Sequence, residues 1–292
     1  MIMVGSSVAV MGVLRDFPVY AGQALRFAVA AMLLLVALRL RKGRESGPRR
    51  PVTGRQWVRI VILAAIGMVG FNVAVAAAER HTDPALVGVV VGCAPVVIAL
   101  IIPLAARKPP TSRILLAGII VTAGAAIAQG LGSGGSALGV VLSLGALGGE
   151  VVFGLLAAPL LDSVGALRVS TYACVAAVPL CLVGMLATGQ FVLPDTGQLL
   201  ALLWLGVVVT ACAYVLWFTA IGAIGPERSG LFTSLIPISA VGMTALLGTG
   251  HPTWAHLAGA IVVLVGLLAG LTTSKEPEFV VAPLAEPNAL RH

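Results

Sequence analysis

The sequence predicts an all-α polytopic membrane protein, with ten transmembrane helices arranged as two inverted five-helix repeats and a first helix that is short or truncated. Three observations lead there. Of the 292 residues, 59% are apolar and only 10% are charged, where a soluble domain carries about 25% charged residues; the mean hydropathy is +1.07. The apolar residues collect in unbroken runs near the ~20 residues that a helix needs to cross a hydrocarbon core of roughly 30 Å. A pattern of Pro and Gly also recurs once along the chain. Together these exclude a soluble enzyme, a nucleic-acid reader and a disordered chain.

Taken in order, runs bounded by charge, Pro or Gly place spans at 1–14, 19–38, 57–78, 84–104 and 113–129. A glycine-rich break at 130–135 follows, then spans at 137–161, 167–186, 199–221, 229–247 and 254–271. Helices are required because runs of this length satisfy their own backbone in lipid, whereas barrel strands alternate in polarity over about ten residues. The first run is anomalous. Fourteen residues at ~1.5 Å each reach only about 21 Å, short of the bilayer core, and no positive segment precedes it as in a signal peptide. Beyond 272, Pro277, Pro283 and Pro287 among mixed charges predict a flexible tail at 273–292.

Charge sets the orientation. Eight of the 18 basic residues lie between Arg39 and Arg59, a cluster expected on the cytoplasmic side. If the even-numbered spans end in the cytoplasm, that side receives fifteen basic residues and the other side two, Arg15 and Arg80, with Arg26 inside span two. Both termini are therefore expected in the cytoplasm, in a bacterial plasma (inner) membrane. The net charge of +7 reflects this asymmetry rather than a nucleic-acid partner. Cys93, Cys174, Cys181 and Cys212 lie in apolar runs without metal-ligand spacing and read as small core residues; no metal or cofactor is implied.

Pro84, Gly88 and Pro95 recur as Pro226, Gly230 and Pro237, each 142 residues on, and Leu116-Ala117-Gly118 recurs as Leu257-Ala258-Gly259. An odd number of spans per repeat turns the halves upside down relative to one another, as in many transporters. The repeats are placed at 1–129 and 137–272. Projecting the offset backwards puts Met1 opposite Ser143 and predicts about six residues missing at the amino end.

The chain resembles the drug/metabolite transporter superfamily in its EamA branch. The resemblance rests on Ala-Leu-Arg26-Phe-Ala-Val-Ala-Ala opening span two and Tyr214-Val-Leu-Trp217-Phe-Thr-Ala220 in span eight. Ser229-Gly-Leu-Phe-Thr-Ser-Leu-Ile-Pro237 in span nine and Leu-Ala-Gly259 with Gly266 in span ten extend it to nearly the whole chain. It implies ten spans in two five-helix repeats and export of small compounds. The sequence departs from the family pattern where members carry Gly-Glu before spans five and ten: here the chain reads Lys108-Pro109 and Gly248-Thr249-Gly250. The usual Trp-Gly of span one is matched at best by Val4-Gly5.

Five side chains are candidates for substrate binding or coupling. Glu150 is the one acid deep in a span; such a residue costs about 2.5–3.5 kcal/mol on insertion scales and faces the bundle interior. A carboxyl there can load and release a proton, or serve as a structural acid bonded to a neighbouring helix. Thr210, Tyr214 and Trp217, at i, i+4 and i+7, share a face of a regular α-helix and suit a cavity wall, or equally interhelical packing. Asn72 stands 142 residues before Tyr214 and can orient a polar solute or hold helices together. Ser6, Ser7, Thr233 and Ser234 are weaker hydroxyl candidates. Pro95 and Pro237 remove backbone hydrogen bonds and predict helix kinks at matching places. Gly88–Gly92 and Gly266–Gly270 have small-xxx-small spacing, read as close helix packing with a homodimer as the lesser alternative. Arg26 is expected to pair with an acid or to snorkel outward.

The leading function is a proton-coupled secondary transporter exporting a small metabolite, amino acid or drug-like compound by alternating access. Its partners would be the solute, the lipid bilayer and protons. A passive facilitator or exchanger is the alternative, and Glu150 discriminates between them because a passive pore needs no titrating group. No P-loop occurs, which argues against ATP coupling. The four histidines sit at span ends or in the tail, and no G-x-S-x-G or H-E-x-x-H occurs, so an enzyme is not expected.

Overall fold

The computed structural model describes residues 2–7, 10, 13–14, 16–42, 51–82, 84–105, 107, 109, 112–129, 136–236, 239, 242–243 and 253–271. The glycine-rich break at 130–135, Lys108, Pro237, most of span nine from Pro237 onward and the tail lie outside the described residues. The helices are α1 (Ile2–Gly5), α2 (Val19–Lys42), α3 (Gly54–Ala78), α4 (Pro84–Gly92), α5 (Ala94–Ala105) and α6 (Ser112–Gln129). After the break come α7 (Ala137–Val164), α8 (Ala166–Thr188), α9 and α10 (Trp254–Leu271). Helix α9 runs through Thr196–Trp204, Leu205–Cys212 and Ala213–Leu231, with a sharp corner at Gly225.

Among the described residues, six helical stretches are long and apolar enough to cross a membrane, with shorter apolar ones at Ser112–Gly124 and Leu257–Ala269. Leu, Val, Ile and Met side chains line their outer faces, among them Met32, Leu144, Val183 and Ile261, as a bundle facing lipid requires. The all-helical polytopic fold follows directly from these runs.

Two helices carry the same irregularity at the same offset. In α3 the backbone switches to π-helix over Leu63–Gly70, and in α9 over Leu205–Cys212, 142 residues later at both ends. Each is preceded by a matching capping box: Thr53 with Gln56 before α3, and Asp195 with Gln198 before α9. In each box a side-chain oxygen satisfies the N3 amide while the glutamine returns to the cap amide.

The packing follows the same exchange. The most extensive helix pairs are α6 with α10, α3 with α7 and α2 with α8. The π segment of α3 packs on α7 and α8, while that of α9 packs on α1 and α2. Absent side chains make the close contacts. A Cβ on Gly124 would sit 2.7 Å from the Val263 amide nitrogen and 2.9 Å from the Gly259 carbonyl oxygen; one on Gly266 would meet Val121 at 2.8 Å. Gly259 and Gly266 thus serve the α6–α10 crossing within the chain, the use that small residues have between membrane helices.

The main core joins α2, α3, α7, α8 and α9 around Phe27, Leu63, Met68, Leu160 and Phe218. Cys174 and Cys181 are buried in it, and all four cysteines are free thiols. The span containing Pro95 is interrupted at Cys93, between α4 and α5, and Pro95 is the second residue of α5. A proline ring disfavours helical geometry in the residue before it and removes an amide donor, which accounts for a break at this point.

Candidate functional site

The cluster begins at Arg26, the eighth residue of α2. Its side chain is only 7% exposed. Nε donates to Thr210 Oγ1 at 2.6 Å, and Nη1 donates to Asn72 Oδ1 at 3.3 Å and to Gln23 Oε1 at 3.5 Å. Contrary to the expectation that it pairs with an acid or snorkels outward, Arg26 is buried and takes only neutral partners among the described residues. The following residue, Phe27, is fully buried, and α9 presses against the Arg26 backbone, where a Cβ on Gly206 would lie 3.0 Å from the Arg26 carbonyl oxygen. With the route outward closed, the guanidinium takes amide and hydroxyl acceptors from α2, α3 and α9.

Those acceptors are held in place. Asn72 Nδ2 donates to the Met68 carbonyl at 2.7 Å, which turns its oxygen toward Arg26. The Thr210 hydroxyl donates to the Leu205 carbonyl at 2.8 Å, leaving its lone pairs for Nε. That bond reaches back five residues, the i→i−5 spacing of a π-helix. The expectation that Thr210, Tyr214 and Trp217 share the face of a regular helix is thereby modified, because Thr210 stands inside the π segment and the other two beyond it.

From Thr210 the cluster continues along α9. Tyr214 packs on Phe153 of α7 with ring centroids 5.4 Å apart, and Phe218 completes the group at 5.2 Å from Phe153. One turn before Phe153 is Glu150, at the midpoint of the 28-residue α7. Gly149, beside it, lets the first π segment approach: a Cβ there would lie 3.1 Å from the Ile66 carbonyl oxygen. Arg26 belongs to α2 and Glu150 to α7. They form no ion pair with each other, and the Glu150 carboxyl has no hydrogen-bond partner among the described residues. The indole nitrogen of Trp217 is buried and also without a partner.

Asn72, Thr210, Tyr214 and Glu150 thus come together around Arg26 and Phe153, with Trp217 one turn beyond Tyr214. Pro95 lies apart, buried at the start of α5, and Pro237 is outside the described residues. Ser6 Oγ accepts from the Trp204 indole at 3.1 Å, and Thr233 bonds back to the Gly230 carbonyl at 2.7 Å, so both hydroxyls are engaged in helix packing. Sequence reasoning missed the central place of Arg26, as well as Gln23 and Phe153. The signal was present for Arg26, since a charge within a span is a functional candidate by default.

A separate cavity of about 370 Å³ lies where α3 begins and α7 ends, lined by Thr53, Gln56, Asp162 and Ser163 among others. Gln56 spans its mouth by donating to Ser163 Oγ at 2.9 Å. It is about 24 Å from Asn72 at ~1.5 Å per residue along α3, and so belongs to the helix ends and not to the Arg26 cluster.

Comparison with known proteins agrees with this architecture. Residues 1–129 and 137–271 each match the EamA-like transporter family. The chain is 24% identical to Uncharacterized transporter YetK of Bacillus subtilis (strain 168), over 99% of this chain and 89% of that protein. It is 22% identical to Uncharacterized transporter YyaM of the same organism, over 87% and 85% of the two chains. A solved crystal structure superimposes with a TM-score of 0.78 at 17% identity, covering 92% of this chain and 93% of that one. The chain belongs to the EamA-like transporter family of the drug/metabolite transporter superfamily, and is a membrane transporter.

Proposed function

We propose that the protein is a proton-coupled secondary transporter that exports a small metabolite, amino acid or drug-like compound across a bacterial plasma membrane, with both termini cytoplasmic. The observation that carries this reading is Glu150. An acid at the midpoint of a spanning helix, without a hydrogen bond or ion pair among the described residues, is a group kept for something other than holding the fold. It adjoins an aromatic pair that continues into the Arg26, Asn72 and Thr210 network, which supplies polar contacts for a solute beside the coupling acid.

Alternating access is read from the two halves. Matching π segments, matching capping boxes and the exchange of packing partners support two five-helix repeats of opposite orientation, in which one arrangement of contacts converts to its mirror by swapping roles between halves. The chain is read as a transporter and not an enzyme.

The test is proton flux in proteoliposomes challenged with a panel of amino acids and cationic drugs, comparing wild type with Glu150→Gln. Solute-dependent proton movement is expected in wild type and is lost in the variant. Solute uptake with no proton movement, equal in both proteins, would rule out coupling through Glu150 and leave a facilitator.

A further inference from the structure

We infer that Arg26 is the anchor for a carboxylate of the transported solute. The inference rests on the transporter reading above and adds to it a chemical class for one end of the substrate. Its basis is a census of donors. Guanidinium carries five N–H donors and no acceptor. Three of those on Arg26 are used, by Thr210, Asn72 and Gln23, and all three partners are neutral. Among the described residues Nη2 has no partner, and no carboxylate neutralises the charge.

A fixed, unneutralised cation that is 7% exposed is costly in a low-dielectric bundle, and the cost falls when a counter-charge arrives. The neutral partners do not supply that charge, but they do hold the guanidinium still, because Asn72 and Thr210 are themselves fixed to the Met68 and Leu205 carbonyls. Such an anchored fork, with one nitrogen still open, is pre-organised for an oxyanion. The surplus of donors continues along α9: the buried Trp217 indole N–H, two turns on from Thr210, is also unpartnered. An unpartnered donor farther along the same helix adds to the surplus of donors over acceptors that a ligand rich in acceptors would meet.

Charge stoichiometry narrows the class. One permanent positive charge balances one negative charge, which favours a carboxylate over a phosphate dianion. Glu150 does not take the position in this structure: it sits on α7, one turn before Phe153, and makes no ion pair with Arg26. The anchor and the coupling acid are therefore separate places in one site.

Three probes of one shape test this: benzoate, benzamide and benzylamine, titrated against the purified full chain in lipid nanodiscs and followed by intrinsic tryptophan fluorescence. Benzoate is expected to bind at least tenfold more tightly than either of the others. Arg26→Gln is expected to abolish that preference, and Arg26→Lys to keep part of it, since it keeps the charge without the fork. Equal affinity for benzoate and benzamide in wild type overturns the proposal, even if Arg26→Gln fails to fold. So does an undiminished benzoate preference in Arg26→Gln, or tighter binding of phenyl phosphate than of benzoate. The proteoliposome assay separates the two claims. Solute-dependent, Glu150-dependent flux without a benzoate preference refutes the anchor alone, whereas an Arg26-dependent benzoate preference in a protein that moves no solute refutes the transport reading and keeps the anchor.

Discussion

Replacing Thr210 by Val keeps the shape of the side chain and removes one hydroxyl. That hydroxyl accepts the 2.6 Å bond from Arg26 Nε and donates the 2.8 Å bond to the Leu205 carbonyl, and Thr210 is fully buried. A hydrogen bond to a charged group contributes about 1.5–3 kcal/mol, and the upper part of that range applies when a buried charged donor is left without its acceptor. Thr210→Val is therefore expected to destabilise the fold by roughly 2–3 kcal/mol. Thr219→Val is the matched control on the same helix: its hydroxyl bonds only to the Val215 carbonyl at 2.6 Å, and the residue is exposed. That change is expected to cost no more than about 0.5 kcal/mol. Reversible unfolding in mixed micelles, followed by helical circular dichroism across a denaturing-detergent titration, measures both. A double-mutant cycle with Arg26→Met assigns the difference to the Arg26 bond and not to the π backbone. If Thr210→Val and Thr219→Val unfold together, the guanidinium is not held as described, and the argument from its fixed geometry fails with it.

Two further substitutions test the packing. Gly124→Ala places a methyl against the Val263 nitrogen and the Gly259 oxygen, both backbone atoms. It is expected to destabilise the α6–α10 pair by about 1–3 kcal/mol, while Gly145→Ala, which meets nothing within 4 Å, is neutral or stabilising by up to ~1 kcal/mol. The same unfolding titration compares them, and equal midpoints would mean that the two helices are not in backbone contact. Gly225 has φ 80° and ψ 161°, a region essentially restricted to glycine. Gly225→Ala should cost about 1–3 kcal/mol although nothing blocks the methyl, and unchanged stability would remove the sharp corner before Pro226.

Much of the fold was legible because lipid leaves few choices. Span six, expected over 137–161, is Ala137–Val164, and span ten runs over Trp254–Leu271 as expected. The ends were less legible. The helices capped by Thr53 and Asp195 begin three residues before the apolar runs at 57–78 and 199–221, because a capping box is polar by construction. The π segments could not be read at all: Leu63–Gly70 and Leu205–Cys212 have the composition of any apolar helix, and the extra residue per turn is decided by packing. The same holds at the site. Asn72, Thr210, Tyr214 and Glu150 announced themselves as polar or aromatic groups within apolar runs, but their convergence on Arg26 depends on how α2, α3, α7 and α9 meet, which no single span records.

The π segments also set a phase. One residue in an α-helix occupies about 100° of rotation, so a helix that absorbs an extra residue turns everything after it by that angle. Asn72 lies just after Leu63–Gly70, and Tyr214 just after Leu205–Cys212. The directions of both side chains are therefore settled upstream of them. A deletion of one residue in either segment, silent in hydropathy and in length of span, would swing the corresponding side chain a quarter turn away from Arg26 and Phe153. A one-residue gap in these eight-residue stretches is thus a change in where Asn72 or Tyr214 points and not only of spacing.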